Sequence, residues 1–163
     1  MGDKMSVESV RRHFTDRGLK DPVFELKESG ATVVLAAQAI GVQPGEIAKT
    51  ISFKLKDKFI LIVASGDSKI DNKKYKNYFG EKARMLGFEE VEKVTGHPVG
   101  GVCPFGLSQE LEIYLDTSLK NYKKVYPAAG SKTNIMEIAV DEMQEVTKGI
   151  WIDVCQDVHK LED

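Results

Sequence analysis

The segment Gly96–Gly106, reading Gly-His-Pro-Val-Gly-Gly-Val-Cys-Pro-Phe-Gly, constrains this chain more than any other. Four glycines and two prolines fall within its eleven residues, with one histidine and one cysteine between them. Glycine lets backbone take positive φ or approach another group closely, while proline fixes φ and removes a donor. Interleaved with Val and Phe, they describe a shaped, stiffened loop rather than the Gly/Ser composition of a flexible linker. Bare, rigid backbone suits gripping a small polar ligand through main-chain groups. A tight turn between two strands uses the same residues, and the segment alone leaves both readings open.

The 163 residues suffice for one well-packed domain and are few for two. With 42% hydrophobic and 29% charged residues the balance is that of a soluble globular protein. No apolar run approaches the roughly 20 residues that span a bilayer, so no membrane partner is expected. The polar start, Met1 to Phe14, has no apolar core of a secretory signal, and a cytoplasmic location is expected. Cys103 and Cys155 form no CxxC pair and no metal spacing; free thiols are the simpler reading, with a disulfide left open. A net charge of −2 is not that of a protein that coats nucleic acid. Three local lysine groups (Lys54, Lys56, Lys58; Lys69, Lys73, Lys74, Lys76; Lys120, Lys123, Lys124) are either solvated faces or a surface able to meet a few phosphates.

The patterning predicts a helix over Ser6–Arg17, with Ser6 as cap and Gly18 as stop, and a short strand over Val23–Leu26. Thr32 caps a second helix running through Val34, Ala37 and Ile40 to Gly41. Glu46 to Lys49 reads as a last short helical turn. Strands are expected over Thr50–Lys56 and Phe59–Ala64, joined by a hairpin at Lys56-Asp57-Lys58. Helices are expected over Asp71–Phe79 and Phe88–Val94. Strands Leu111–Leu115, Lys124–Pro127 and Ile135–Val140 follow, then a helix over Val140–Thr147 and a closing strand over Ile150–Val154. Hairpins with interspersed helices, without strict βαβ rhythm, indicate an α+β domain.

Several catalytic sets are absent: no GxSxG elbow, no Walker-type loop and no HExxH. His13, His97 and His159 stand in three separate contexts with no second ligand at i+3 or i+4, so no metal is expected. His13 and His159 read as ordinary surface residues. His97 borders the glycine-rich loop, where a structural bond to loop backbone and a catalytic role are both open. Cys103 lies in the same loop, and a Cys103 nucleophile with His97 as base stands against a small apolar cysteine lining a pocket. Lys49, at the entry to a strand, can supply a phosphate point charge or a polarising cation; a lysine there is otherwise surface decoration.

Three segments in order, Val34–Lys54, Gly96–Gly106 and Tyr126–Ile138, together resemble the YbaK/EbsC family, related to the editing insertion domain of bacterial prolyl-tRNA synthetases. The resemblance runs from about residue 20 to 155 of what is read as a single domain over 1–163. It implies an α+β domain whose mixed, largely antiparallel sheet curls toward a barrel with helices outside. It also implies hydrolysis of the ester joining a wrong amino acid to the 3′ adenosine of a tRNA, most often cysteine or alanine on proline tRNA. The family's lysine matches Lys49, its GxxxP loop matches Gly100 to Pro104 (with Gly101 inside it), and its later glycine segment matches Ala129-Gly130-Ser131. Thr50, His97, Val102, Cys103, Phe105, Gly130 and Ser131 are then expected around the substrate. The stretch Ser65-Gly66-Asp67 is also similar to the family. No cofactor is implied, and the expected partners are the acceptor end of tRNA and a synthetase. Two other readings stay open: a module that binds tRNA ends or a synthetase without turnover, and a Cys103-dependent hydrolase.

Overall fold

Helices form where the sequence supplies an apolar stripe, and two of them start behind a capping side chain, Thr32 and Asp71. In chain order the elements are α1 (Gly2–Thr15), β1 (Val23–Glu25), α2 (Val33–Ile40), β2 (Ile47–Lys54), β3 (Phe59–Ser65), α3 (Asn72–Phe79) and α4 (Phe88–Thr95). After the glycine-rich segment come β4 (Glu112–Asp116), β5 (Lys124–Ser131), β6 (Asn134–Met136), β7 (Ile138–Ala139), α5 (Val140–Thr147) and β8 (Ile150–Ile152). Single 3-10 turns lie at Pro44–Glu46 and Thr117–Asn121. This computed structural model describes residues 2–157, and His159 lies outside them. Thr32 Oγ1 accepts from Leu35 N at 3.1 Å to start α2, and Asp71 Oδ1 accepts from Lys73 N and Lys74 N to start α3. Gly41, Gly80 and Gly96 end α2, α3 and α4 in the left-handed conformation.

The strands form one mixed sheet in the order β1-β6-β5-β2-β3-β4-β8, with β7 paired to β5 off that path. Antiparallel pairs are β1–β6, β5–β6, β5–β7 and β2–β3; parallel pairs are β2–β5, β3–β4 and β4–β8. Among the described residues no pairing joins β1 to β8, so the path stays open rather than closing into a barrel. The fold is thus a single α+β unit. No helix among the described residues is long and apolar enough to cross a membrane.

Strand periodicity divides the core into two faces. Phe53 and Leu55 of the β2 hairpin, with Ile60 and Ile62 of β3, pack with Tyr75 of α3 on one face. Ala48 and Val63 face the other way, into a core built from Val10 and Phe14 of α1, Cys103 and Phe105 of the glycine-rich segment, and Met143 of α5. Val10 and Phe14, spaced i, i+4, are the residues by which α1 is buried.

Five local expectations are corrected. The chain from Glu46 to Lys49 is not a helical turn: β2 begins at Ile47, because Ile47 and Ala48 pair with Tyr126 and Pro127 of β5. The strand expected to end at Pro127 runs on to Ser131 through a bulge between Ala128 and Ser131. The strand expected over Ile135–Val140 is two short ones, since exposed Glu137 separates β6 from β7 and Val140 already starts α5. Ser6 is not a cap but lies inside α1, and its hydroxyl is buried against His97. His13 is not a plain surface residue: its Nδ1 accepts from Gly106 N at 3.0 Å, and its ring meets Phe105 edge-on.

The glycine-rich segment is seated on β5 through bare backbone. Gly130 N donates to Gly101 O at 3.0 Å, and a Cβ on Gly101 would stand 2.4 Å from Ser131 N and 2.6 Å from Gly130 C. Those are main-chain atoms that cannot turn aside. Gly101→Ala is therefore expected to lower stability by about 1–3 kcal/mol. The reading is a reduced urea midpoint at unchanged slope. A midpoint equal to wild type would mean that the loop is not seated this way.

Candidate active site

A cleft opens where two neighbouring strands stop pairing. The parallel register of β2 with β5 covers only Ile47↔Tyr126 and Ala48↔Pro127. Pro127 has no N–H to extend the ladder, so the strands diverge there. The edge of β2 beyond Ala48 meets no strand residue until Phe53 bridges Met85, with Leu86 N donating to Ser52 O at 3.1 Å. The gap is a cleft of about 270 Å³. Leu26, Ala36 and Ile47 line its α2 side, and Leu86 and Val91 its α4 side. Its walls are thus largely apolar.

Lys49 sits on the β2 edge of this cleft. The alternation that sends Ile51 and Phe53 toward α3 sends Lys49 the same way, and its ammonium donates to the Ser68 carbonyl. The side chain is half-buried, and desolvation holds its pKa below that of an ordinary lysine. The nearby Cys155 thiol and Asp67 carboxylate oppose that shift, and Lys69 adds to it. Thr50, the next residue, also lines the cleft, and its Oγ1 is shielded from solvent without a hydrogen-bond partner among the described residues. An unpaired buried hydroxyl is costly unless a ligand satisfies it. Lys132, exposed on the β5–β6 turn, brings a second cation to the rim.

Gly100 and Val102 form the wall contributed by the glycine-rich segment. Gly100 has φ 93°, and a Cβ there would come within 3.3 Å of the Ala31 Cβ. Only glycine accepts that conformation without strain. Gly101 faces inward onto Gly130 and Ser131, and Pro104 is buried. Ser131 is itself buried, its hydroxyl donating to Asn134 Oδ1 at 2.7 Å across the β5–β6 turn. Lys49, Thr50, Gly100 and Val102 therefore share the cleft, while Gly101, Gly130 and Ser131 make the seat of the loop.

Three residues expected around the substrate stand behind the cleft instead. His97, Cys103 and Phe105 are each 0% exposed. His97 Nε2 lies 2.6 Å from the Phe105 carbonyl, which can only accept, so Nε2 carries the proton and Nδ1 accepts from the Ser6 hydroxyl at 2.5 Å. The imidazole is neutral, with its pKa lowered chiefly by burial. Cys103 Sγ is 3.6 Å from His97 Nε2, a proximity that six residues of separation do not reveal. Burial pushes the Cys103 thiol up to about 12, the reverse of what a nucleophile needs. Met85, Leu86 and Val91 carry no chemical signature in the sequence; the first two reach the cleft by the path of the chain between α3 and α4, and Val91 from within α4. Pro127 is the signal that could have located the gap, since proline has no N–H to give the neighbouring strand, although β5 continues past it on its β6 side.

Residues 27–146 match the family model of the aminoacyl-tRNA editing domain. The chain is 51% identical to the uncharacterized protein YwhH of Bacillus subtilis, over 94% of this chain and 99% of that one. It is 26% identical, over 83% of its length and 84% of the relative's, to EbsC of Enterococcus faecalis, described as a candidate Cys-tRNA(Pro)/Cys-tRNA(Cys) deacylase. A crystal structure described as a candidate trans-editing enzyme for prolyl tRNA synthetase superposes with a TM-score of 0.86 at 31% identity, covering 93% of this chain and 98% of that one. By sequence and by fold, the chain belongs to the aminoacyl-tRNA editing domain family.

Proposed function

We propose that this chain is a free-standing, cytoplasmic aminoacyl-tRNA deacylase that removes a wrong amino acid from tRNA, with cysteine- or alanine-charged proline tRNA as its substrates. The observation that carries the proposal is the meeting, in one apolar cleft, of the Lys49 edge of β2 with the bare backbone of Gly100. In this reading Lys49 holds a phosphate of the terminal adenosine, and the main chain of Gly100 to Pro104 orients the ester. Thr50 supplies a hydroxyl with no partner among the described residues. Water or the substrate's own side chain adds to the carbonyl carbon, or the ribose 2′-hydroxyl does so first and carries the acyl group to its own oxygen, from which water then releases it. The bond to the ribose oxygen breaks, and that oxygen takes the proton. An aminoacyl ester is already activated, so position and charge stabilisation supply most of what is needed. The small apolar cleft fits the logic of editing. One methylene is worth only about 1–3 kcal/mol to a synthetase, and a second pocket of different size supplies the remaining discrimination. EbsC and the trans-editing structure support proline tRNA as the carrier and a prolyl-tRNA synthetase as the partner.

The test is release of amino acid from tRNA charged with cysteine, alanine, serine, threonine or proline. Wild type is expected to release cysteine or alanine from proline tRNA and to spare prolyl-tRNA. Lys49→Ala is expected to lose about 100-fold or more in rate while keeping its thermal midpoint. Full activity in that variant would sink the mechanism, and tRNA binding without any release would establish the non-catalytic module. For pH, the charged form of Lys49 is the one that meets phosphate, and its pKa lies below that of an ordinary lysine. Affinity for a non-hydrolysable aminoacyl-tRNA analogue is therefore expected to weaken as pH rises, starting before ordinary lysines deprotonate. Acidification toward neutrality leaves it unchanged. A flat affinity through the alkaline range would remove Lys49 as the phosphate contact. A Cys103-dependent hydrolase would be killed by iodoacetamide; with its sulfur sealed from solvent, the folded protein is expected to keep its activity and leave Cys103 unmodified by mass spectrometry.

A further inference from the structure

Two consecutive glycines at 100 and 101 give the cleft wall little stiffness of its own, so what fixes it must lie outside it. Within the loop, Gly101 N donates to Pro98 O at 2.9 Å. Thr95 of α4 ties its two ends, bonding the His97 main chain through Oγ1 and accepting from Ser108 N, and Gly101 O accepts from Gly130 N of β5; the side-chain anchors that remain lead to α1. Upstream, the His97 ring spans the loop to the Phe105 carbonyl and accepts from Ser6 of α1. Downstream, Ser9 Oγ lies 2.9 Å from Gly106 O, and Gly106 N donates to His13 Nδ1 at 3.0 Å. The helix backbone sits on the same places. A Cβ on Gly106 would stand 2.5 Å from the Ser9 carbonyl, and one on Gly130 2.8 Å from Val7 N. One helix therefore holds both flanks of the loop and the strand on which the loop is seated. Yet α1 lies outside residues 27–146, the part that the family model matches.

We infer that α1 is a clamp that sets the position of Gly100–Pro104 in the cleft, with Ser6 and His13 as positioning residues for deacylation. The inference rests on the reading of the cleft as the deacylation site. The two kinds of contact divide the labour of the helix. Val10 and Phe14 bury it in the core, whereas the side chains of Ser6, Ser9 and His13 bond the loop and its flanking His97, the His13 ring also meeting the Val146 backbone of α5. Removing a polar contact while leaving Val10 and Phe14 should loosen the loop without undocking the helix. Substrate binding through Lys49 and Thr50 on β2 should then persist while turnover falls.

The experiment uses the full chain with Ser6→Ala, His13→Leu and His13→Gln, the last keeping a side-chain acceptor for Gly106 N. Steady-state deacylation of the mischarged tRNA that wild type cleaves is measured beside amide hydrogen exchange. Ser6→Ala and His13→Leu are expected to lower kcat about tenfold with KM within twofold, and His13→Gln to recover most of the loss. Amides from Gly101 to Gly106 should exchange faster in the two impaired variants, with protection of β2 and β3 unchanged. Wild-type kcat with unaltered loop exchange in both would overturn the clamp. So would faster exchange spread evenly through the sheet, which would make α1 a general stabiliser only. A wild-type protein that releases nothing from any charged tRNA overturns the deacylase reading, and the exchange measurement still decides whether α1 holds the loop.

Discussion

The fold turns on a parallel contact only two residues long. Ile47 and Ala48 of β2 meet Tyr126 and Pro127 of β5, and this is the seam that joins the β1-β6-β5 half of the sheet to the β2-β3-β4-β8 half. A longer ladder would have filled the gap with backbone hydrogen bonds. Pro127 prevents that by lacking a donor, and the strand edge left open becomes the cleft. Lys49 and Thr50, still paired with β3, follow directly on the last β2 residue that pairs with β5. They reach the cleft because the sheet divides at that point.

The opposite wall reaches the cleft by a different route. Between Gly96 and Gly106 the chain passes over Gly130 and Ser131 so closely that a methyl group on Gly101 would meet main-chain atoms. The segment is not a tight turn between two strands, since it runs from α4 to β4, and its two sides differ. Gly101 packs inward onto β5, while Gly100 and Val102 face the cleft. A loop with side chains at both glycines would have to give up one of these contacts.

What was legible in the sequence follows from range. Caps such as Thr32 and Asp71 act over two or three residues, and the helices they begin stand where the pattern placed them. The β2–β3 hairpin is equally local. Lys49 was legible as a residue of interest through its family context, but its placement in a helical turn failed because β5, far along the chain, extends β2 back to Ile47. The Ser6–His97 bond joins residues 91 positions apart, and no pattern in either neighbourhood announces it. For the same reason the family resemblance alone puts His97 and Cys103 around the substrate, while the residues themselves leave a structural histidine and a small apolar cysteine open. Membership of a loop does not say which of its side chains face inward.

Burial acts on the two candidate reactive groups with different consequences. It raises the Cys103 thiol to about 12 and seals the sulfur behind the loop, which disfavours the thiolate that a covalent mechanism requires. It also lowers the pKa of Lys49, but a half-buried ammonium anchored on the Ser68 carbonyl still has Asp67 nearby to favour its charge. A cation partly stripped of water interacts more strongly with an incoming anion than one fully hydrated. The same desolvation therefore argues against a cysteine hydrolase and for electrostatic positioning. An activated ester asks for the second, because its carbonyl already carries a good leaving group and needs orientation more than a powerful nucleophile.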